Sequence, residues 1–327
     1  MSTGTLPIFR GVHCETVATG TLLRAIGCEL SEPMLFGLGE ALGFVYLNLA
    51  SLPLPFLGGR SKPFALTEAA CTNLGVSLHA EETSSRTKAW ARLEQHLREA
   101  RPVGLQLDCF YLPYFERPPH FAGHFVAALR LVDDEVEVVD TVQQGSVRRV
   151  PRRALEAARH ARGPMSARAR AYTIRAGDRV DLGRAAMLAV RNNARRYLAP
   201  DFGGMGAPGL AKLARSLPAW LAKARSPAED LQLAADLMER AGTGGALFRC
   251  LYRDFLDEVA ELVPAAAKVV VAARARFARS ASHWTAIAGL LTQCARDGQA
   301  QHLVAASGLC KAIADDEVAA MTMLAGA

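Results

Sequence analysis

Cys14 follows Gly11-Val12-His13 and opens the run Glu15-Thr16-Val17-Ala18-Thr19-Gly20-Thr21-Leu22-Leu23-Arg24-Ala25-Ile26, whose patterning is helical. The sequence therefore puts a thiol in the first turn of a helix. Unpaired backbone N–H groups and the positive end of the helix dipole there favour thiolate over thiol. Cys14 is thus a candidate nucleophile, where a cysteine is otherwise most often a small core residue. A thiolate used this way needs a base and a group that orients the base. Downstream, Gly123-His124-Phe125-Val126-Ala127-Ala128-Leu129 and Val136-Glu137-Val138-Val139-Asp140-Thr141 flank the polar turn Val132-Asp133-Asp134-Glu135. Two β-branched and apolar runs around such a turn read as an antiparallel hairpin. His124 then lies near the outer end of one strand and Asp140 near that of the other. In that arrangement the imidazole takes the thiol proton, while the carboxylate fixes its tautomer and supports the imidazolium. The structural alternatives are a strand-end histidine bonded to backbone and a turn-capping acid.

The elements that must position these groups differ between the two halves of the chain. A helix after Cys14 is stopped by Gly27, and another starts at Ser31 with Pro33 in its first turn. A helix over 88–101, the strand Val103-Gly104-Leu105-Gln106-Leu107-Asp108 and the hairpin follow. Past residue 180, helix formers dominate, and helices are expected over 185–198, 210–224, 228–241, 246–262, 265–278, 283–296 and 314–324. The fold class is α+β: a domain over 1–178 that carries the thiol and an all-α domain over 179–327, a lid or a substrate- or partner-binding element. At 327 residues the chain can bury a large core in each.

Composition narrows the setting. The seven cysteines at 14, 28, 71, 109, 250, 294 and 310 are scattered, with no Cys-x-x-Cys pair. This fits a reducing, cytoplasmic compartment and neither a disulfide framework nor a metal site. The most apolar span, 41–57, is interrupted by Asn48, Ser51, Pro53 and Pro55, which argues against a membrane helix. The net charge is +6, yet 145–225 alone holds eighteen Arg and Lys against four acids. A basic face of this kind steers acidic partners, with Arg148, Arg149, Arg152, Arg153, Arg191, Arg195 and Arg196 the first candidates. Aromatics are sparse in that stretch, so nucleic acid is not expected. A homodimer remains open. Gly244 and Gly245, in a Gly-Thr-Gly-Gly run ahead of a helix, could receive a phosphate or carboxylate on free N–H groups, or simply form a tight turn.

Several stretches together resemble the N-terminal domain of the butirosin biosynthesis protein H family: His13-Cys14-Glu15-Thr16, Leu30-Ser31-Glu32, Leu35-Phe36-Gly37-Leu38-Gly39, Leu42-Gly43-Phe44, Pro102-Val103-Gly104, Asp108 with Tyr111-Leu112-Pro113-Tyr114, and His124 through Asp140. The resemblance spans about residues 8–175. Met238 through Arg249, then Tyr252-Arg253-Asp254-Phe255-Leu256, resembles the helical domain often fused to it. The resemblance implies a papain-like cysteine acyltransferase, whose founding activity moves an aminoacyl group from an acyl carrier protein thioester to an aminoglycoside amine. Cys, His, Asp is also the chain order of papain-like enzymes. One departure stands out: those hydrolases commonly carry an oxyanion-binding glutamine shortly before the cysteine, and Leu6-Pro7-Ile8-Phe9-Arg10 offers none. The oxyanion falls to the Cys14 N–H with a second donor, Gln106 or, less favourably, His13, otherwise a shell residue.

The expected chemistry starts with Cys14 attacking an acyl thioester on a carrier protein's phosphopantetheine arm or on a CoA-like donor. The resulting acyl-Cys14 then passes its acyl group to an amine deprotonated by His124. Thiol-to-thiol exchange is nearly isoenergetic and amide formation is downhill, so no bound cofactor, nucleotide or metal is required. The alternatives are a cysteine peptidase or amidase of the same fold, with water as acceptor, and a non-catalytic carrier- or peptide-binding module.

Overall fold

The computed structural model describes residues 8–49, 52–116, 118, 120–163, 165–239 and 245–327. In chain order the elements are α1 (Cys14–Ala25), α2 (Glu32–Leu38), β1 (Leu42–Leu47), β2 (Phe56–Arg60), α3 (Ala65–Asn73), β3 (Ser77–Glu81), α4 (Arg86–Arg98), β4 (Val103–Leu107), β5 (His124–Val132), β6 (Glu135–Val139), β7 (Val147–Pro151), α5 (Arg152–Arg159) and β8 (Ala171–Arg175). Then come α6 (Leu182–Leu198), α7 (Gly206–Ser216), α8 (Trp220–Lys223), α9 (Pro227–Glu239), α10 (Ala246–Leu262), α11 (Ala267–Asp297) and α12 (Gln301–Ala325). They form two compact units: Met1–Leu35 with Pro63–Val180, and Phe36–Lys62 with Asp181–Ala327. The architecture is α+β with a helical C-terminal region.

In the first unit six antiparallel strands run in the order β3-β8-β4-β5-β6-β7. The expected hairpin is β5–β6, in register from Val132 opposite Glu135 to Ala127 opposite Val139. Its turn puts Asp133 in the left-handed region, at φ 55°, which aspartate tolerates better than most residues. On one face, Trp90, Leu93 and Leu97 of α4 and Leu155 and Ala158 of α5 pack on Val103, Leu105, Leu107, Val126 and Val138. Strand alternation turns Gly104, Phe125 and Tyr172 the other way. There Tyr172 meets Thr19 of α1 at 3.1 Å, and Phe64, at the start of α3, stacks on Phe125. Helix α1 is buried from Glu15 to Leu23, as suits a helix without a polar stripe. Its buried carboxylate, Glu15, accepts from Thr67 N and Oγ1, both at 3.1 Å.

The second unit joins the β1–β2 hairpin to α6 through α12. Residues 36–62, placed by the linear reading in the first domain, belong here for reasons of packing. Phe36 stacks on Phe248, Phe44 stacks on Trp284, and Asn193 donates to Leu42 O. Helix α11 runs unbroken where two helices are expected, because Ser280 and Ser282 do not interrupt it. The Ser280 hydroxyl is buried against Glu317. The expected helix 210–224 is instead α7 and α8, separated by a 3₁₀ turn that starts at Leu217-Pro218. Glu317 is the polar centre of this unit. It accepts from Arg249 Nε (2.8 Å) and Nη2 (2.9 Å), Tyr197 Oη and Ser280 Oγ, tying together α6, α10, α11 and α12. Among the described residues no helix is long and apolar enough to cross a membrane.

Candidate functional site

Cys14 is the first residue of α1 and only half buried, so its sulfur stands at the end of a helix where main-chain N–H groups have no partner within the helix. The segment before it is held by one carboxylate. Glu32 accepts from Val12 N (2.9 Å), His13 N (2.9 Å) and Thr16 Oγ1 (2.7 Å). Burial pushes the Glu32 carboxyl up against these lowering hydrogen bonds. Gly11 passes so close to Glu32 that a Cβ there would lie 2.6 Å from its carboxyl carbon. Gly11 O in turn accepts from Val142 N at 2.9 Å. That bond ties the approach to Cys14 to the turn leaving Asp140.

His124 opens β5, and Asp140 directly follows β6. Their side chains meet, His124 Nε2 to Asp140 Oδ2, at 2.8 Å, and both are buried. With Nε2 committed, Nδ1 is the nitrogen left for the sulfur, and Cys14 stands near enough for its charge to raise the imidazolium. Asp140 accepts two further donors: Tyr114 Oη on Oδ2 and Thr141 N on Oδ1, each at 2.7 Å. Burial pulls the His124 imidazolium down, but the Asp140 charge, Cys14 and the hydrogen bond to Asp140 raise it well above its ordinary value. Asp140 is held below the usual carboxylate range: burial raises it, and the His124 charge and the donors around it outweigh that. The other six thiols are all pushed up by burial, Cys109 to about 11 and Cys71 and Cys310 to about 12. They stay protonated at neutral pH.

A pH dependence follows from the two opposed shifts. A raised imidazolium stabilises the fold fully below its unfolded value of about 6.5, and this is lost as pH rises through the folded value. The depressed carboxylate contributes above about 3.9, and its share is lost as pH falls through its lowered folded value. The pair contributes in full between those limits. With the thiol removed so that the ring titrates alone, the stability advantage of Cys14→Ala over Cys14→Ala/His124→Gln in denaturant titrations should be flat near pH 5–6. Above about 6.5 it should shrink, by at most about 1.4 kcal/mol per pH unit. An advantage that grew with pH would contradict the assignment.

The remaining candidates are dispersed. Gln106 is corrected as an oxyanion donor: its amide nitrogen donates to Ala122 O (2.9 Å) and Met165 O (3.4 Å), and its oxygen accepts from Arg170 Nη1. These bonds hold the two stretches after β4 and before β8, and leave the amide no hydrogen for a substrate. His13 is the buried N-cap of α1; its carbonyl accepts from Val17 N. Arg148 and Arg149 are exposed on the edge strand β7. Arg191 and Arg195 lie one turn apart on α6 in the second unit, with Arg191 Nε donating to Ala327 O. Gly245 caps α10 at φ 69°. Gly244 lies outside the described residues. Among the described residues no group of three or more His, Cys, Asp or Glu could hold a metal ion. Sequence reasoning missed Glu32 and Tyr114. Both stand in the stretches that carry the family resemblance, and that is the signal that could have found them.

Residues 13–141 match the family model described as Butirosin biosynthesis protein H, N-terminal. Residues 153–324 match the one described as a domain of unknown function, DUF4872. No curated protein matches the chain. The first match begins one residue before Cys14 and ends one residue after Asp140, so it brackets the whole cluster. The second covers more than half of the sequence, and the chain belongs to the DUF4872 family, with a match to the butirosin biosynthesis protein H N-terminal domain ahead of that domain.

Proposed function

We propose that the first unit is a papain-like cysteine acyltransferase of natural-product biosynthesis, acting in the cytoplasm. On this reading it takes an acyl or aminoacyl group from a carrier-protein or CoA-like thioester and delivers it to an amine. The observation that carries this reading is the buried His124–Asp140 pair with Cys14 beside the imidazole, at the N-terminus of α1. A buried imidazole held as a cation next to a half-buried sulfur is the form in which a thiol reacts as thiolate.

The Cys14 thiolate attacks the thioester carbonyl. The oxyanion is received by the Cys14 N–H, the first unpaired donor of α1. Collapse expels the donor thiol, which takes its proton from His124. In the second half-reaction an amine attacks the acyl-Cys14 carbonyl, and neutral His124 accepts the amine proton. Collapse then returns the thiolate and releases an amide. Asp140 keeps Nε2–H pointed away and leaves Nδ1 to work at the sulfur. No cofactor enters the balance beyond the phosphopantetheine arm of the donor. Arg148 and Arg149 receive an acidic carrier, and the helical unit, with Arg191, Arg195 and Gly245, serves substrate or partner binding.

Intact-mass spectrometry after mixing with an acyl-pantetheine thioester tests this. The native chain should gain one acyl group and Cys14→Ala none. The adduct should decay faster when an amine is added. Decay indifferent to the amine would point to a hydrolase, and no adduct would end the enzyme reading.

A further inference from the structure

Two donors converge on one oxygen of Asp140, and the second has no part in the mechanism above. Tyr114 Oη lies 2.7 Å from Asp140 Oδ2, the same atom that holds His124 Nε2 at 2.8 Å. Tyr114 stands on the loop between β4 and β5, and the next residue, Phe115, meets the His124 ring edge-on at 5.3 Å and 85°. Consecutive side chains of one loop thus touch both members of the pair. The tyrosine is itself held from outside. The Arg148 guanidinium lies 5.6 Å from its ring centroid, with Nε donating to Gln144 O. Gly145, at φ 88°, supplies the room: a Cβ there would stand 2.6 Å from the Arg148 guanidinium.

We propose that Tyr114 is a positioning residue for the His124–Asp140 pair, its hydroxyl sharing Oδ2 with the imidazole so as to set how tightly the carboxylate holds the imidazole proton, with Arg148 acting through the tyrosine ring. An oxygen that accepts two donors accepts each less strongly. Tyr114 therefore draws charge from Asp140 and keeps His124 able to give its proton up. The Arg148 cation over the ring makes the hydroxyl a better donor and strengthens that effect. The groups facing His124 are Asp140, Cys14 from α1 and Cys109 from the turn after β4; those facing Tyr114 are Asp140, Cys109 and Arg148 from β7. This rests on the pair's geometry alone and stands or falls separately from acyl transfer.

The test is a ¹⁵N NMR titration of the full chain with labelled histidines, in a Cys14→Ala background so that the ring titrates without the thiol. His124 is identified by the signal lost in His124→Gln. Tyr114→Phe should raise the His124 titration by about half to one pH unit, a three- to tenfold change in its ionisation constant. Arg148→Ala should move it the same way by less, and should add nothing to Tyr114→Phe. A purely structural Tyr114 would lower thermal stability and leave the His124 titration in place, which would overturn the proposal. Should Tyr114→Phe fail to fold, fluorotyrosine at position 114, a stronger donor of the same shape, must shift the titration downward. An unmoved value there would overturn it equally.

Discussion

His124→Ala should slow acylation of Cys14 by an acyl-pantetheine thioester by about 10²–10⁴-fold, the range a positioned general base supplies. The imidazole is bonded to Asp140 and lies beside the sulfur, so its removal leaves the thiol without this proton acceptor and the carboxylate without its imidazolium partner. Asp140→Asn should act in the same direction for a different reason. The amide keeps the shape, but it carries no charge to support an imidazolium and can present N–H to Nε2, which favours the wrong tautomer. Quenched-flow acylation read by mass spectrometry separates these effects from substrate binding. A rate within about threefold of the native chain in both variants would make His124 a structural strand-end residue.

Arg249→Met should destabilise the second unit by about 3–5 kcal/mol, the cost of breaking a fully buried ion pair from one side. Glu317 would keep Tyr197 and Ser280 but lose both guanidinium bonds, inside a core where it has no exposure. The Glu317 carboxyl is held low because Arg249 and its other donors outweigh the burial that would raise it. Without the arginine, burial prevails and favours the neutral acid. Removing both charges together, as Arg249→Met with Glu317→Gln, should recover part of the loss, since no charge is left buried and the amide oxygen still accepts from Tyr197 or Ser280. Thermal unfolding of the single and double variants measures this. A single-variant loss below about 1 kcal/mol is the range of exposed pairs and would show the network to be dispensable.

The parts of this molecule that are local in sequence are legible there. Gly11 ahead of an apolar helical run announces a helix start at Cys14, and Asp133-Asp134 between β-branched runs announces the hairpin that brings His124 to Asp140. What sequence leaves open is set by distant partners. Gln106 alternates correctly for a strand, yet nothing near it in sequence says that its amide meets Ala122 and Met165. Tyr114 reaches Asp140 across 26 positions and Glu32 closes on Val12 across 20, so neither declares a role by spacing. The placement of residues 36–62 with the C-terminal helices depends on stacking of Phe36 and Phe44 onto rings more than two hundred positions away. The unbroken α11 likewise reflects a buried Ser280 hydroxyl bonded to Glu317, a partner on another helix.

Peptide mapping after brief exposure to an acyl-pantetheine thioester tests the assignment of Cys14 most directly, because Cys28 and Cys250 are also half buried and act as internal controls. The acyl group should be found on the peptide that contains Cys14 and on neither of theirs, and it should be missing there when His124 is replaced by alanine. Label spread over the three thiols in proportion to exposure, or label on Cys14 at an unchanged rate without His124, would contradict a nucleophile activated by that histidine.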